Sequence, residues 1–181
     1  MIIVAAPSGA GKSSFVEKLA AEDSRLHDII TYTTRSMRNK ESQGKPYFFI
    51  SKEEFEKKIK EGFFVEWAQV HTNLYGTSHE QIQLAWARDK VVIMDIDIQG
   101  VATFKSKYPE AKTIFILPPS IDELRRRVIK RDGCAPIDLD VRMLNAEKEM
   151  QKADEFDVRI VNDDFERSFA EFKKTVEKWI A

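Results

Sequence analysis

The sequence has a single cysteine, Cys134, so no disulfide can close within the chain. One unpaired thiol fits a reducing compartment, and a plain surface or core position suits it better than catalysis. A charge excess is also missing: 29 Lys and Arg stand against 30 Asp and Glu, for a net charge of -1. That balance is poor for gripping a polyanion. It argues against nucleic acid as a partner and favours small phosphorylated ligands. No long apolar run is present. Residues 2–6 are apolar, but no basic stretch precedes them, and Pro7 and Gly9 break the run. They read as neither signal peptide nor membrane span, so the expectation is a cytoplasmic protein with no membrane partner. At 181 residues the chain should bury roughly 70% of its unfolded surface, enough to need no disulfide or metal staple.

Short β-branched or apolar runs recur at residues 2–6, 29–33, 91–96, 113–117 and 158–161, with helical stretches between them. Runs apolar on successive residues suit strands buried on both faces. Buried helix is the alternative for such runs, but their length and flanking breakers favour strand. Helix starts are marked by Ser51 with Glu54, Ser78 with Gln81 and Ser120 with Glu123, each a capping box. Near the end, Phe165, Phe169, Phe172 and Val176 form one apolar stripe on a helix beginning near Asp164. Strands alternating with helices predict a doubly wound α/β core. Two stretches break the rhythm. One, residues 35–75, is polar and aromatic with β-like pieces at 47–50 and 63–70. The other is the Asp-Gly-Cys-Ala-Pro loop at 132–136. They are expected to be an inserted lobe and a mobile cover.

Glycine is scarce, with seven in the chain, yet two fall in residues 6–13, Ala-Pro-Ser-Gly-Ala-Gly-Lys-Ser. This stretch comes after the first strand and opens a helix whose inner side carries Phe15, Val16 and Leu19. Gly9 and Gly11 allow a sharp turn that points N–H groups into a concave nest for phosphate oxygens. The helix N-terminus adds partial positive charge. Lys12 can reach β- and γ-phosphates, and Ser13 can ligate Mg2+. Ala6 stands where the motif normally has glycine. Such a cradle serves ATPases, GTPases and kinases alike, so it leaves the reaction open. Asp95, closing the apolar run 91–94, is placed to position Mg2+ through water. Asp97 would share its side of the strand only if the strand continued.

Further along, Thr33-Thr34-Arg35 is followed by Arg38, Glu41, Gly44 and Tyr47. Two arginines three apart can share one phosphate, or can be a solvated basic loop.

Taken in order, these motifs resemble guanylate kinase. The likeness includes residues 6–13, the Thr-Thr-Arg-x-x-Arg-x-x-Glu-x-x-Gly-x-x-Tyr segment, Val65-Glu66-Trp67-Ala68 and Tyr75-Gly76-Thr77. It continues through Asp95-Ile96-Asp97-Ile98-Gln99-Gly100, Pro118-Pro119-Ser120 and Val161-Asn162-Asp163-Asp164, from residue 2 to the last helix. The resemblance implies a P-loop NTPase-type parallel sheet flanked by helices, within a single domain. Core segments are expected at 1–32, 81–130 and 143–181, a GMP-binding lobe at about 33–80, and a lid at about 131–142. It implies transfer of the γ-phosphate of ATP to GMP, and to dGMP, giving ADP and the diphosphate, with Mg2+ as cofactor. ATP would lie on Ala6, Pro7, Ser8, Gly9, Ala10, Gly11, Lys12, Ser13 and Ser14, with Asn162 near the adenine. Arg35, Arg38, Tyr47 and Tyr75 would hold the GMP phosphate, with Glu41 bracing the arginines. Thr31, Glu66, Thr77 and Asp97 would surround the guanine. Arg127, Arg131 and Arg142 would close on the phosphates, joining Lys12, Arg35 and Arg38 as catalytic groups.

The chain departs from the family pattern at Thr31 (usually serine), Met37 (proline), Lys40 (glycine) and Asp132-Gly133 (Gly-Thr). GMP phosphate is already anionic near neutral pH, its second pKa being about 6, so no strong general base is needed. His27, His71 and His79 are read as surface or packing residues. Two other readings stay in view. One is a guanylate-kinase-like binding module, which typically lacks an intact ATP cradle. The other is a kinase for AMP or a pyrimidine nucleotide, against which Glu66 and Asp97 speak.

Overall fold

The computed structural model describes residues 1–39, 41–70 and 72–181; Lys40 and His71 lie outside the described residues. Strand β1 (Ile2–Ala5) is buried at every position. It can be so because it lies at the centre of a five-stranded parallel sheet. The other strands are β2 (Leu26–Asp28), β7 (Val91–Asp95), β8 (Lys112–Leu117) and β9 (Val158–Val161), in the order β2-β7-β1-β8-β9. Alternate residues of β1 feed opposite layers. Ile2 and Val4 face one core with α1 (Lys12–Glu22), α5 (Ile121–Asp132), α6 (Leu139–Met150) and α7 (Phe165–Trp179). Ile3 and Ala5 face another with α3 (His79–Trp86) and α4 (Ile98–Lys107). Burial on both faces explains why the inner strands β1, β7 and β8 read as apolar runs. The Phe stripe of α7 packs on α1, with the Phe15 ring meeting Phe165 and Phe172 edge-on at 5.0 and 5.3 Å.

All three serine caps form: Ser51, Ser78 and Ser120 accept from the amides of Glu54, Gln81 and Glu123. Asp164 caps α7 through the Arg167 amide.

A second sheet, β4-β3-β6-β5, holds β3 (Thr31–Thr33), β4 (Tyr47–Phe49), β5 (Phe64–Val70) and β6 (Asn73–Ser78). Helix α2 (Lys52–Lys60) contributes Phe55 to a separate small core with Phe64 and Leu74. The strand expected at 29–33 needs correction, for the run is not one strand. Leu26–Asp28 joins the parallel sheet beside β7, Thr31–Thr33 belongs to the lobe sheet, and Ile29 and Ile30 lie between them. β2 carries no sequence signal because an edge strand with His27 and Asp28 shows no apolar run. β6 is equally silent, since Gly76 looks like a strand breaker. Asp97 does not continue β7; the strand stops at Asp95, and Asp97 caps α4.

Candidate active site

The loop 6–11 connects β1 to α1. Its turn is closed by the Ala10 amide donating to the Pro7 carbonyl at 3.0 Å. Gly9 and Gly11 both take positive φ, +96° and +103°, a region closed to most side chains. Space is also limiting: a Cβ on Gly11 would stand 2.9 Å from the Asn162 side-chain nitrogen. That nitrogen donates to the Ala10 carbonyl at 2.8 Å, so the buried Asn162 side chain underpins the cradle. Ala6 is almost fully buried, and the alanine fits where the motif usually has glycine. Parallel pairing of Val4 with Asp95 brings the end of β7 beside the loop. There the Ser13 hydroxyl donates to Asp95 Oδ2 at 2.6 Å. The site lies at the carboxyl edge of a parallel sheet, where such folds open a crevice.

On the facing sheet, Glu41 receives both guanidinium nitrogens of Arg35, at 2.8 and 3.0 Å, and the Arg38 amide at 2.7 Å. Burial opposes the Glu41 charge, but these hydrogen bonds outweigh it and hold the carboxyl below its usual range. The Arg35 guanidinium lies 5.4 Å from both the Tyr47 and Phe49 ring centres. Tyr75 meets Tyr47 edge-on at 5.8 Å. Burial, with nearby Asp95, drives the Tyr47 phenol well above its ordinary range, so it stays a neutral donor. Arg38 is acted on by burial first and then by the positive charges of Arg131 and Arg35. Guanidinium groups from the β3–β4 connection and from α5 thus converge on one place, an arrangement that favours an anion between them.

Glu66 lies on β5, 7% exposed, and its Oε1 accepts from the Thr77 hydroxyl at 3.1 Å across the β5–β6 pair. Burial pushes its carboxyl up to about 7, Thr77 opposes the shift, and the charge of Asp97 adds to it. Asp97 accepts from the Gln99 amide at 2.9 Å as the cap of α4. Three arginines of α5 and α6 each have a carboxylate close by in sequence. Arg127 donates to Glu123 and to the Asn162 carbonyl, both at 2.9 Å. Arg131 donates to Asp132 at 2.8 Å, and Arg142 to Asp138 at 2.9 Å. Cys134 is exposed in the loop after α5, its thiol 4.0 Å from the Asp132 carbonyl.

A cavity of about 680 Å3 joins these groups. Of the residues expected from sequence, Ala6, Ser8, Gly9, Gly11, Lys12, Ser13 and Ser14 line its cradle end. Thr31, Arg35, Arg38, Glu41, Tyr47, Glu66 and Tyr75 line the lobe side, with Asp95 and Asp97 between and Arg127, Arg131 and Arg142 above. Pro7, Ala10, Thr77 and Asn162 do not line it; the last two act through Glu66 and Ala10. Sequence reasoning missed Asn145, Glu149 and Lys152, which also line the cavity. Burial, then the charge of Asp97, pushes Glu149 up to about 7, with Lys12 opposing. A signal exists in the sequence: positions 142, 145 and 149 repeat at helical spacing on one face of α6, and Lys152 follows just past its end.

A family model described as guanylate kinase matches residues 1–179. The guanylate kinase of Bdellovibrio bacteriovorus is 67% identical over 181 residues, covering 100% of this chain and 98% of that protein. That of Polaromonas sp. is 44% identical over 176 residues, 97% of this chain and 85% of the other. The crystal structure of guanylate kinase from Anaplasma phagocytophilum superposes with a TM-score of 0.80 at 27% identity, covering 98% of this chain and 84% of that one. The likeness runs the length of the chain, through both sheets and the cleft between them: the chain belongs to the guanylate kinase family.

Proposed function

We propose that the cavity is the catalytic cleft of an ATP-dependent GMP kinase, with the cradle holding the ATP phosphates and the lobe sheet holding GMP. The observation that carries this reading is a single cleft with Lys12 at one end and Arg35, Arg38 and buried Glu66 at the other. Lobe (about 33–80) and lid (about 131–142) then act as the two closing parts around the core. Arg35, Arg38, Tyr47 and Tyr75 bind the GMP phosphate, with Arg35 preset by Glu41 and by the rings beside it. Glu66 accepts from the guanine N1–H or amine, with Thr31, Thr77 and the Asp97 region around it. Adenine would set its N1 acceptor against a carboxylate oxygen, and a site left with such an unpaired group rejects the wrong base by roughly 10⁴-fold. dGMP lacks only a ribose hydroxyl, which none of these assignments uses, so it is proposed as a second acceptor.

A GMP phosphate oxygen attacks the γ-phosphorus in line, the bond from γ-phosphorus to the bridging oxygen breaks, and ADP leaves with its electrons. The transition state is loose, so positioning and charge neutralisation supply most of the acceleration. Lys12 and Arg127, Arg131 and Arg142 bear on the transferring group, and closure excludes water that would otherwise accept it. Mg2+ fits the donors present: Ser13 and Asp95 offer hard oxygens 2.6 Å apart at the cradle. Among the described residues no cluster of three or more metal-binding side chains is found, which suits an ion that keeps its waters and leans on substrate phosphates. When bound there it would neutralise phosphate charge. Asn162 supports the cradle from beneath. No helix among the described residues is long and apolar enough to cross a membrane, and a cytoplasmic enzyme remains part of the proposal.

The test is ADP release with ATP and each of GMP, dGMP, AMP, CMP and UMP, with and without Mg2+. GMP and dGMP should turn over in a Mg2+-dependent way, and the others should not. Turnover of AMP or a pyrimidine nucleotide at a comparable rate would refute the assignment of Glu66.

A further inference from the structure

Gly100 is the third residue of α4, a position where glycine is a poorer helix former than alanine. Its φ is not in the left-handed region, so backbone freedom does not call for it. What stands over it does. A Cβ built on Gly100 would lie 2.7 Å from Glu66 Oε2 and 3.1 Å from the Glu66 carboxyl carbon. The third neighbour, Ile96 Cδ1, is 3.5 Å away, an ordinary contact. The conflict is thus with the carboxylate alone. Glu66 cannot easily move aside, because its other oxygen is held by Thr77 at 3.1 Å and it is 7% exposed. The strand carrying it is tied to the same helix, since the Lys107 ammonium donates to the Val65 carbonyl.

We propose that Gly100 is a specificity-determining positioning residue: its missing side chain is the floor on which the Glu66 carboxylate rests, facing the acceptor base. The first turn of α4 also presents its partial positive charge to that carboxylate at close range. Any side chain at 100 would lift the carboxylate toward the base and spoil its alignment. The inference rests on the assignment of Glu66 to guanine.

The experiment is a double-mutant cycle of Gly100→Ala and Glu66→Asp in the full chain, reading KM for GMP, KM for ATP, kcat and melting temperature. Gly100→Ala should raise KM for GMP by about tenfold or more, as for a misplaced binding group. KM for ATP should stay within about twofold, and any fall in melting temperature should be small, because the better helix propensity of alanine offsets part of the crowding. In the Glu66→Asp background the shorter side chain leaves room for the methyl group. There Gly100→Ala should change KM for GMP by less than about twofold, the non-additivity expected of touching residues. A wild-type KM for GMP in Gly100→Ala would overturn the proposal, as would an equal rise for ATP or a full effect persisting beside Asp at position 66. If Gly100→Ala is too unstable to assay, the double variant should regain the lost melting temperature, and failure of that rescue overturns the proposal as well. Should Glu66→Asp alone leave GMP use unchanged, the assignment of Glu66 fails first, and this inference with it.

Discussion

Lowering the pH from 8 to 6 should weaken GMP binding through one carboxyl group. Glu66 has its carboxyl pushed up to about 7, chiefly by burial. Guanine offers only donors on the edge that Glu66 would meet, so the nucleotide binds the charged form and expels the proton. Affinity is therefore full above pH 7 and falls as the group protonates below it. At pH 6 about one site in eleven carries the charge, against about ten in eleven at pH 8, so Kd should rise about tenfold between them. The GMP phosphate, with a second pKa near 6, adds a factor of about two at pH 6. The Glu66→Gln variant retains that phosphate effect and loses the rest, so the ratio of the two Kd profiles isolates the carboxyl group. Calorimetry in buffers of different ionisation enthalpy gives a second reading. At pH 7 each GMP bound should release about half a proton from this group, and none in the variant. A flat ratio of Kd between pH 6 and 8, with no buffer-dependent heat, would refute the reasoning.

Asn162→Ala removes the side-chain donor to the Ala10 carbonyl. A buried acceptor left unpaired costs about 1–3 kcal/mol. The melting temperature should therefore fall by roughly 3–10 °C, and KM for ATP should rise more than KM for GMP; an unchanged melting curve would remove the brace. Asp28 is pushed up from the ordinary carboxylate range to about 8, by burial first and then by Asp95 and Glu17. Its raised value means the proton stabilises the folded chain at low pH, an advantage lost as pH climbs from about 4 to 8. Asp28→Asn should thus match wild type near pH 4 and melt about 3 °C or more higher at pH 8, and equal melting at both pH values would contradict this. Asp132 pairs with Arg131 and comes within 3.9 Å of Arg142. Asp132→Asn should lower KM for ATP about two- to fivefold in dilute buffer, with the gain gone at about 0.5 M salt; a raised KM would show that Asp132 orders the lid instead.

The parallel core is legible because β1, β7 and β8 carry apolar residues on successive positions and β9 is β-branched around Arg159, and the three serine caps because they depend on residues three apart. The cradle is legible for the same reason of locality, as is the Arg35–Glu41–Tyr47 loop once the family likeness is seen. The features that stay hidden depend on contacts between segments distant in the chain. β2 is concealed because its edge position tolerates His27 and Asp28. That Asn162 also donates to the Ala10 carbonyl, 152 positions away, has no local sign in the sequence. Glu149 draws no attention because a glutamate on a helix is usually solvated, and only packing brings it toward Lys12 and Asp97.

Charge placement in the cleft has a consequence for the order of events. Arg127, Arg131 and Arg142 are each occupied by a carboxylate one to four residues away in sequence, and Arg35 is held by Glu41. Arg38 differs: its amide donates to Glu41, while its guanidinium is acted on by burial and by the like charges of Arg131 and Arg35, which Asp132 and Glu41 only partly oppose. On the proposed assignment Arg38 is thus a cleft arginine on which like charge weighs more than carboxylate. A phosphate placed there relieves repulsion between lobe and lid, whereas a phosphate at Arg131 or Arg142 must first displace a carboxylate. Binding of GMP should therefore lower the cost of bringing Arg131 toward the lobe before any lid arginine leaves its local partner. On this account the lobe closes on acceptor alone, and the lid completes closure only when the polyphosphate of ATP can displace Glu123, Asp132 and Asp138 from the three guanidinium groups.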